Sequence, residues 1–283
     1  MELTVIQVDA FTERPFAGNP AAVCVTDTPL EASLMQAIAA EMNLSETAFL
    51  HPLSGEKGGE KGYSLRWFTP AVEVDLCGHG TLASAHVLWS EGYLPADQMA
   101  HFSTKSGWLS AKQQQSWIEM DFPARPVRPT HVMPQLIASL CCGGNIRSVA
   151  KSKTSYLVEL HSEQALRALQ PNFDEIKKLP VQGVIATAIA DHDDYDFVSR
   201  YFAPAAGINE DPVTGSAHAS LAPYWQARLG KGEMLAQQIS ARSGVVRVRC
   251  AKSESNKAES AEDNRIAISG QAVTVLKGVL QLP

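Results

Sequence analysis

Arg66-Trp67-Phe68-Thr69-Pro70-Ala71 and Arg200-Tyr201-Phe202-Ala203-Pro204-Ala205 are one hexapeptide written twice. Four positions are identical, and at a fifth one aromatic ring replaces another. Each copy runs through an acidic stretch into a glycine motif and then a helix of small residues. The first reads Glu73-Val74-Asp75-Leu76-Cys77-Gly78-His79-Gly80 and the second Asn209-Glu210-Asp211-Pro212-Val213-Thr214-Gly215-Ser216-Ala217. The distance from proline to motif differs by three residues, which a loop absorbs. A duplicated domain is the simplest reading. It places the same device in each half, at a shared interface suited to a small-molecule site.

Outward from the repeat, strands are predicted at 3–9, 21–25, 46–51, 63–68, 99–104, 107–112 and 116–122, with helices at 30–42 and 81–89. The 54–62 stretch reads as a hairpin loop. Phe122-Pro123-Ala124-Arg125-Pro126-Val127-Arg128-Pro129, with three prolines in eight residues, is the predicted linker. Beyond it, strands are predicted at 155–160, 183–190, 196–202, 235–240, 244–250, 264–269 and 271–277, a helix at 216–228, and an exposed polar loop at 252–263. The balance is β-rich α+β.

Composition limits the function classes. With 283 residues, 45% apolar and 19% charged, the chain has material for two cores and is not disordered. Lys plus Arg is 24 and Asp plus Glu 30, a net charge of −6, which disfavours a general nucleic-acid binder but not a small anionic ligand. No apolar run reaches the roughly 18 residues of a membrane span. No signal peptide is read at the start. Cys24, Cys77, Cys141, Cys142 and Cys250 include no C-x-x-C pair, so no disulfide framework is expected and a cytoplasmic setting fits.

Chemistry is expected at the two helix starts. Unpaired N–H groups there carry partial positive charge and hold anions without a cationic side chain. Those near Gly78 to Gly80 and Gly215 to Ala217 are expected to grip a carboxylate. Together they would stabilise charge that grows when a neighbouring carbon loses its proton. Glu46, at the mouth of an apolar strand, is the expected base, since burial there raises a carboxyl pKa. Asp211 is the second acidic group. His79 is expected to relay a proton as neutral imidazole, because a helix N-terminus disfavours its cation. Cys77 has no thiol counterpart, since Thr214 stands in the second copy and a hydroxyl is no base at neutral pH. His192-Asp193-Asp194-Tyr195-Asp196 has no matching ligand motif, and no metal site is expected. No phosphate-loop or dinucleotide glycine pattern is present.

These segments together resemble the phenazine-biosynthesis isomerase-like (PhzF-like) family, of the diaminopimelate epimerase-like fold. The resemblance spans nearly the whole chain. It rests on Asp9-Ala10-Phe11, Phe16-Ala17-Gly18-Asn19-Pro20, Asn43-Leu44-Ser45-Glu46-Thr47-Ala48-Phe49, Arg66-Trp67-Phe68-Thr69-Pro70, Cys77-Gly78-His79-Gly80-Thr81 and Asp211-Pro212-Val213-Thr214-Gly215-Ser216-Ala217-His218. It implies two similar lobes, each a β-barrel-like sheet around a central helix. The N-terminal lobe would be 1–122, with a C-terminal strand 271–283 crossing back to it, and the C-terminal lobe 130–270. The resemblance puts the family's acid/base on Glu46 and its His, Asp and Ser on His79, Asp211 and Ser216. With the helix-start argument, Glu46, His79 and Asp211 are expected to be catalytic and Asn19, Gly78, Gly80, Thr214, Gly215 and Ser216 to bind substrate. The family further implies a homodimer, no cofactor, and proton-shift isomerisation of a small carboxylate in the inter-lobe cleft. The phenazine enzyme carries Pro where this chain has Gly80, so phenazine chemistry itself is not implied. The alternatives are an amino-acid epimerase or racemase using Cys77, and a non-catalytic binding protein on the same fold.

Overall fold

A computed structural model describes residues 2–57, 60–250 and 265–282. The polar loop expected at 252–263 lies outside the described residues. In chain order the first elements are β1 (Glu2–Ala10), β2 (Asn19–Val25), α1 (Ala32–Met42), β3 (Glu46–Lys57), β4 (Glu60–Phe68), β5 (Glu73–Val74) and α2 (Gly78–Ser90). Then come β6 (Ala100–Thr104), β7 (Gly107–Gln114), β8 (Trp117–Pro123), β9 (Arg128–Pro129), α3 (Pro134–Leu140), β10 (Ile146–Lys151) and β11 (Ser155–Leu160). They continue with α4 (Glu163–Arg167), α5 (Phe173–Lys177), β12 (Gly183–Ile189), β13 (Phe197–Ala203), a 3-10 turn Pro204–Ala206 and β14 (Ile208–Asp211). The last are α6 (Gly215–Leu229), β15 (Glu233–Gln238), β16 (Gly244–Cys250), β17 (Arg265–Gly270) and β18 (Ala272–Gln281). The class is mixed α+β and dominated by sheet. No helix among the described residues is long and apolar enough to cross a membrane.

The chain forms two compact units, Met1–Asp121 with Ser269–Pro283, and Phe122–Ile268. In the first, β1 is antiparallel to β2, β2 parallel to β3, β3 antiparallel to β4, β4 parallel to β6, and β6 antiparallel to β7. The parallel β2–β3 step is bridged by α1, whose Met35, Ile38 and Ala39 pack on Leu3, Val5, Phe49 and Phe68. β18 lies antiparallel along all of β1, from Glu2 opposite Gln281 to Ala10 opposite Ala272. Helix α2 is buried on nearly every side and packs against β1, β2, β3, β7 and β18. Its Gly78, Gly80, Ala83, Ser84 and Ala85 are small enough for strands to approach all round it.

The second unit repeats the same order of pairings. β10 is antiparallel to β11, β11 parallel to β12, β12 antiparallel to β13, β13 parallel to β15, and β15 antiparallel to β16. α4 and α5 bridge the parallel step, and the buried α6 stands where α2 stands in the first unit. The three-residue difference between the repeat copies is taken up by the 3-10 turn Pro204–Ala206.

Some sequence expectations change. Strand pairing continues through most of the presumed 54–62 loop, since β3 runs to Lys57 and β4 starts at Glu60. The proline-rich segment does not hang free. Pro223 lacks an N–H inside α6, which leaves the Ala219 carbonyl without its helical donor, and Arg125 N donates to it at 3.0 Å. Arg128 and Pro129 then pair with Lys151 and Ala150.

Candidate active site

The parallel pairing of β2 and β3 brings their N-terminal ends side by side, with Ala21 opposite Glu46. Asn19 opens β2 and Glu46 opens β3, so both reach the start of α2. The loop before Asn19 is held tightly: the buried Asp9 carboxylate accepts the Phe16 N–H at 2.6 Å. Gly18 adopts φ +63°, and a Cβ there would lie 2.2 Å from the Ala10 carbonyl oxygen, so only glycine fits.

Cys77 is the N-cap of α2 and its Sγ accepts the Gly80 N–H at 3.3 Å. Thr81 Oγ1 returns a hydrogen bond to the Cys77 carbonyl at 2.5 Å. These contacts fix the turn that carries His79. The buried His79 ring has Asn19 Nδ2 3.1 Å from Nδ1 and Glu46 Oε2 3.0 Å from Nε2. Cys77 Sγ lies 3.6 Å from Nδ1 and 4.0 Å from Nε2. Glu46 Oε2 is buried and, among the described residues, has no donor in hydrogen-bonding alignment, while the Glu46 side chain as a whole keeps 12% exposure. It is an acceptor with capacity to spare at a site reachable from one side.

The charge state of His79 differs from the sequence expectation. Burial opposes the cation, but Cys77 and Glu46 outweigh it and raise the pKa well above 6.5. Burial pushes the Cys77 thiol up and Glu46 pushes it further, while His79 and the Gly80 N–H pull it down. Beside the sulfur, the ring faces the Glu46 carboxylate 3.0 Å away. The helix-start argument fails because that carboxylate is nearer and carries a full charge. The Asn19 amide serves either state of the ring: Nδ2 donates to a bare Nδ1, and Oδ1 accepts from a protonated one after a half-turn.

Gly80 is fixed by packing. A Cβ there would sit 2.7 Å from Trp67 Cδ1 and 3.0 Å from Cys77 Sγ. Trp67 is 1% exposed, and its Nε1 has no partner among the described residues. Trp67 thus bounds the site from the first copy of the repeat, a role that its place in the hexapeptide did not reveal.

In the second unit, the start of α6 holds Asp211, Thr214, Gly215 and Ser216. Thr214 Oγ1 donates to Asp211 Oδ2 at 2.5 Å. Gln238, on β15, accepts the Thr214 N–H at 2.9 Å and donates to the Asp211 carbonyl at 2.7 Å. Gln238 lies 24 residues from Thr214, and nothing in the local sequence signals this contact. Asp211 and Thr214 are buried, and Ser216 is half-buried.

The two starts correspond residue for residue in spacing and contacts. Arg66 grips Glu73 through two bonds of 2.8 and 2.9 Å, and Arg200 grips Glu210 through bonds of 2.7 and 2.9 Å. Each arginine also lies over the phenylalanine two residues on, at 5.2 and 5.0 Å. Four residues after each glutamate comes the N-cap, Cys77 or Thr214. His79 then corresponds to Ser216 and Thr81 to His218, whose Nδ1 reaches the Thr214 carbonyl at 2.8 Å as Thr81 reaches that of Cys77. Of the nine site residues expected from sequence, Asn19, Glu46, Gly78, His79 and Gly80 come together in the first unit. Thr214, Gly215, Ser216 and Asp211 come together in the second.

Comparison with known proteins gives the family and the fold. Residues 8–278 match the family model described as phenazine biosynthesis-like protein. A protein named as an uncharacterized isomerase from Halalkalibacterium halodurans is 47% identical over the full length of both chains. A crystal structure of a phenazine biosynthesis PhzF-family protein from Enterococcus faecalis covers all of both chains at 40% identity, with a TM-score of 0.87. A hydroxyproline epimerase from Agrobacterium vitis shares the fold at 11% identity and a TM-score of 0.62, over 99% of this chain and 92% of its own. The chain belongs to the phenazine biosynthesis-like family, among enzymes named as isomerases.

Proposed function

We propose that the protein is a cofactor-independent isomerase that moves a proton on a small, carboxylate-bearing metabolite. The observation that carries this reading is the buried Glu46–His79 contact of 3.0 Å at the start of α2. Glu46 takes a proton from the carbon next to a carboxylate or conjugated carbonyl and returns it at another position. His79, held by Asn19, balances the carboxylate's charge as the proton moves. Of the N–H groups expected to hold the anion, that of Gly80 is engaged by Cys77 Sγ, so Gly78 and His79 supply the donors here. Asp211 and Ser216 are our candidates for the second proton and for substrate positioning. The Thr214 N–H is already spent on Gln238. The position equivalent to Cys77 holds Thr214, bonded to Asp211, so the thiol pair of an epimerase is incomplete.

The test is proton exchange in deuterated water with a panel of small unsaturated and 2-amino carboxylic acids. Glu46→Gln is expected to lose label incorporation by roughly 10²- to 10⁴-fold, with the fold checked by circular dichroism. Cys77→Ser is expected to retain it, because a hydroxyl still caps α2. Exchange by Glu46→Gln at the wild-type rate would remove Glu46 as the base.

A further inference from the structure

We propose that Glu46, Cys77 and His79 also form a binding site for a zinc-class divalent cation, and that metal bound there blocks the proton transfer. The claim of inhibition rests on the reading given under Proposed function; the claim of a site does not.

The donor set is a carboxylate oxygen, a sulfur and an imidazole nitrogen, the three ligand types that zinc takes in proteins. One ligand atom from each residue lies within 4.8 Å of the other two. Zinc bonds of about 2.0 Å to nitrogen and oxygen and about 2.3 Å to sulfur give tetrahedral edges of about 3.3 Å for N–O and about 3.5 Å for N–S. The corresponding separations here are 3.0 Å from Nε2 to Oε2 and 4.0 Å from Nε2 to Sγ. A tilt of the ring and a few tenths of an ångström at each side chain close the geometry.

Two further observations point to a ligand. Glu46 Oε2 is a buried acceptor whose neighbour His79 Nε2, at 3.0 Å, stands out of hydrogen-bonding alignment, so a cation held between the two would satisfy both atoms. Asn19 sits on Nδ1, which leaves Nε2 as the coordinating nitrogen and anchors the ring at its far edge, as the outer partner of a metal-bound histidine does. The 12% exposure of Glu46 gives an entry side and leaves a fourth position for water or an exchangeable group.

The step balances without a redox partner. The Cys77 S–H bond breaks and its proton leaves to solvent. A charged His79 loses its Nε2 proton in the same way. Zinc exchanges bound waters for S, N and O. Thiolate plus carboxylate cancel the 2+ charge, so the loaded site is neutral in its buried surroundings. While metal is bound, Glu46 Oε2 and His79 Nε2 are both engaged by the cation, whose charge strips the carboxylate of its basicity and takes the ring out of proton transfer. Magnesium and calcium, which demand six or more oxygen ligands, find only one carboxylate here.

The test is direct binding of ZnCl2 by calorimetry, with CoCl2 as a spectroscopic substitute, on wild type, Cys77→Ser and His79→Gln, each checked for fold by circular dichroism. One equivalent is expected to bind at micromolar concentration or tighter. The cobalt form should show a thiolate charge-transfer band and intense tetrahedral visible bands. Both variants should weaken binding at least tenfold, Cys77→Ser should abolish the charge-transfer band, and excess MgCl2 should leave binding unchanged. Absence of the band in wild type, or zinc affinity unchanged in both variants, overturns the site. Saturating zinc should suppress deuterium exchange, with recovery on chelation. Full exchange in protein that shows the cobalt band overturns the inhibition and leaves the site standing. An error in the base assignment is read separately, from Glu46→Gln in metal-free buffer.

Discussion

His218 shows how one side chain sets a pH response. It is fully buried on α6, stacked 6.1 Å from Phe197, with Nδ1 2.8 Å from the Thr214 carbonyl. A carbonyl only accepts, so Nδ1 carries the ring proton and Nε2 is a bare acceptor. Burial lowers the pKa from 6.5 to about 4. Between about pH 6.5 and 4 the folded state therefore binds fewer protons than the unfolded chain. The contribution to stability is complete above the unfolded pKa, falls as pH drops from 6.5 towards the folded pKa, and levels off below it. Between pH 7.5 and pH 5 the loss from this residue is about 2 kcal/mol. Urea unfolding at the two pH values is expected to show it in wild type and to lack it in His218→Asn, whose amide can still donate to Thr214. An equal pH dependence in the variant would assign the acid sensitivity elsewhere. At this scale the sequence was legible where a motif names a residue type. Asn19, Glu46 and His79 meet as their motifs suggested. The charge on His79 was not legible, because it depends on a carboxylate 33 residues away in sequence that only the β2–β3 pairing brings to 3.0 Å.

At the scale of elements, the two arginine forks have the same geometry but not the same importance. Arg66 is 31% exposed and, among the described residues, hydrogen-bonds Glu73 alone, which also accepts from Lys105. Arg200 is 13% exposed and, besides Glu210, donates through Nη1 to the Leu166 and Leu169 carbonyls at 3.2 and 3.0 Å. It ties the end of α4 to β13. Lysine cannot keep a two-bond fork and reach two carbonyls at once. Arg200→Lys is expected to cost roughly 1.5–3 kcal/mol, because the Leu169 carbonyl loses its guanidinium donor and the Glu210 fork loses a bond, while the Leu166 carbonyl keeps its backbone donors. Arg66→Lys should cost about 1 kcal/mol or less, since water and Lys105 compensate. Denaturant midpoints of the two variants give the ranking, and equal losses would mean that the α4 contacts carry no weight. Elements with an apolar period or a strand alternation were readable, as at α1, α6 and β16. The 130–154 stretch was not. β10, Ile-Arg-Ser-Val-Ala-Lys, has no alternation, with its buried Val149 and Ala150 adjacent, and owes its strand form to β11 and β9 on either side. α3, α4 and α5 are five to seven residues long, too short for a helical period to register.

At the scale of the whole molecule, a six-residue match stands for a duplicated order of strand pairings, while most positions between the copies are free to differ. Sheet position constrains burial and size, not identity. One feature breaks the duplication. In the second unit the strand on the side of β10 away from β11 is the two-residue β9, which precedes it by one short helix, α3. In the first unit the strand beside β1 is β18, nine residue pairs supplied from the far end of the chain. β1 is largely buried, so without β18 its outward N–H and C=O groups lose their partners next to an apolar face. Leu280 and Leu282 also pack against the cluster that holds α1, and they would be lost as well. Removing residues 272–283 should therefore unfold the first unit or reduce it to an aggregating state rather than trim a tail. Hydrogen exchange resolves this by location. In the truncated chain the β1 and β2 amides are expected to lose protection by several orders of magnitude. An added peptide spanning 272–282 should restore part of it by re-forming the β1 ladder. Wild-type protection of β1 in the truncated chain would mean that β18 only covers the unit. Recovery with the peptide would mean that the first unit's sheet is completed last, once the chain end arrives, because closing so long a loop precedes any gain from that pairing.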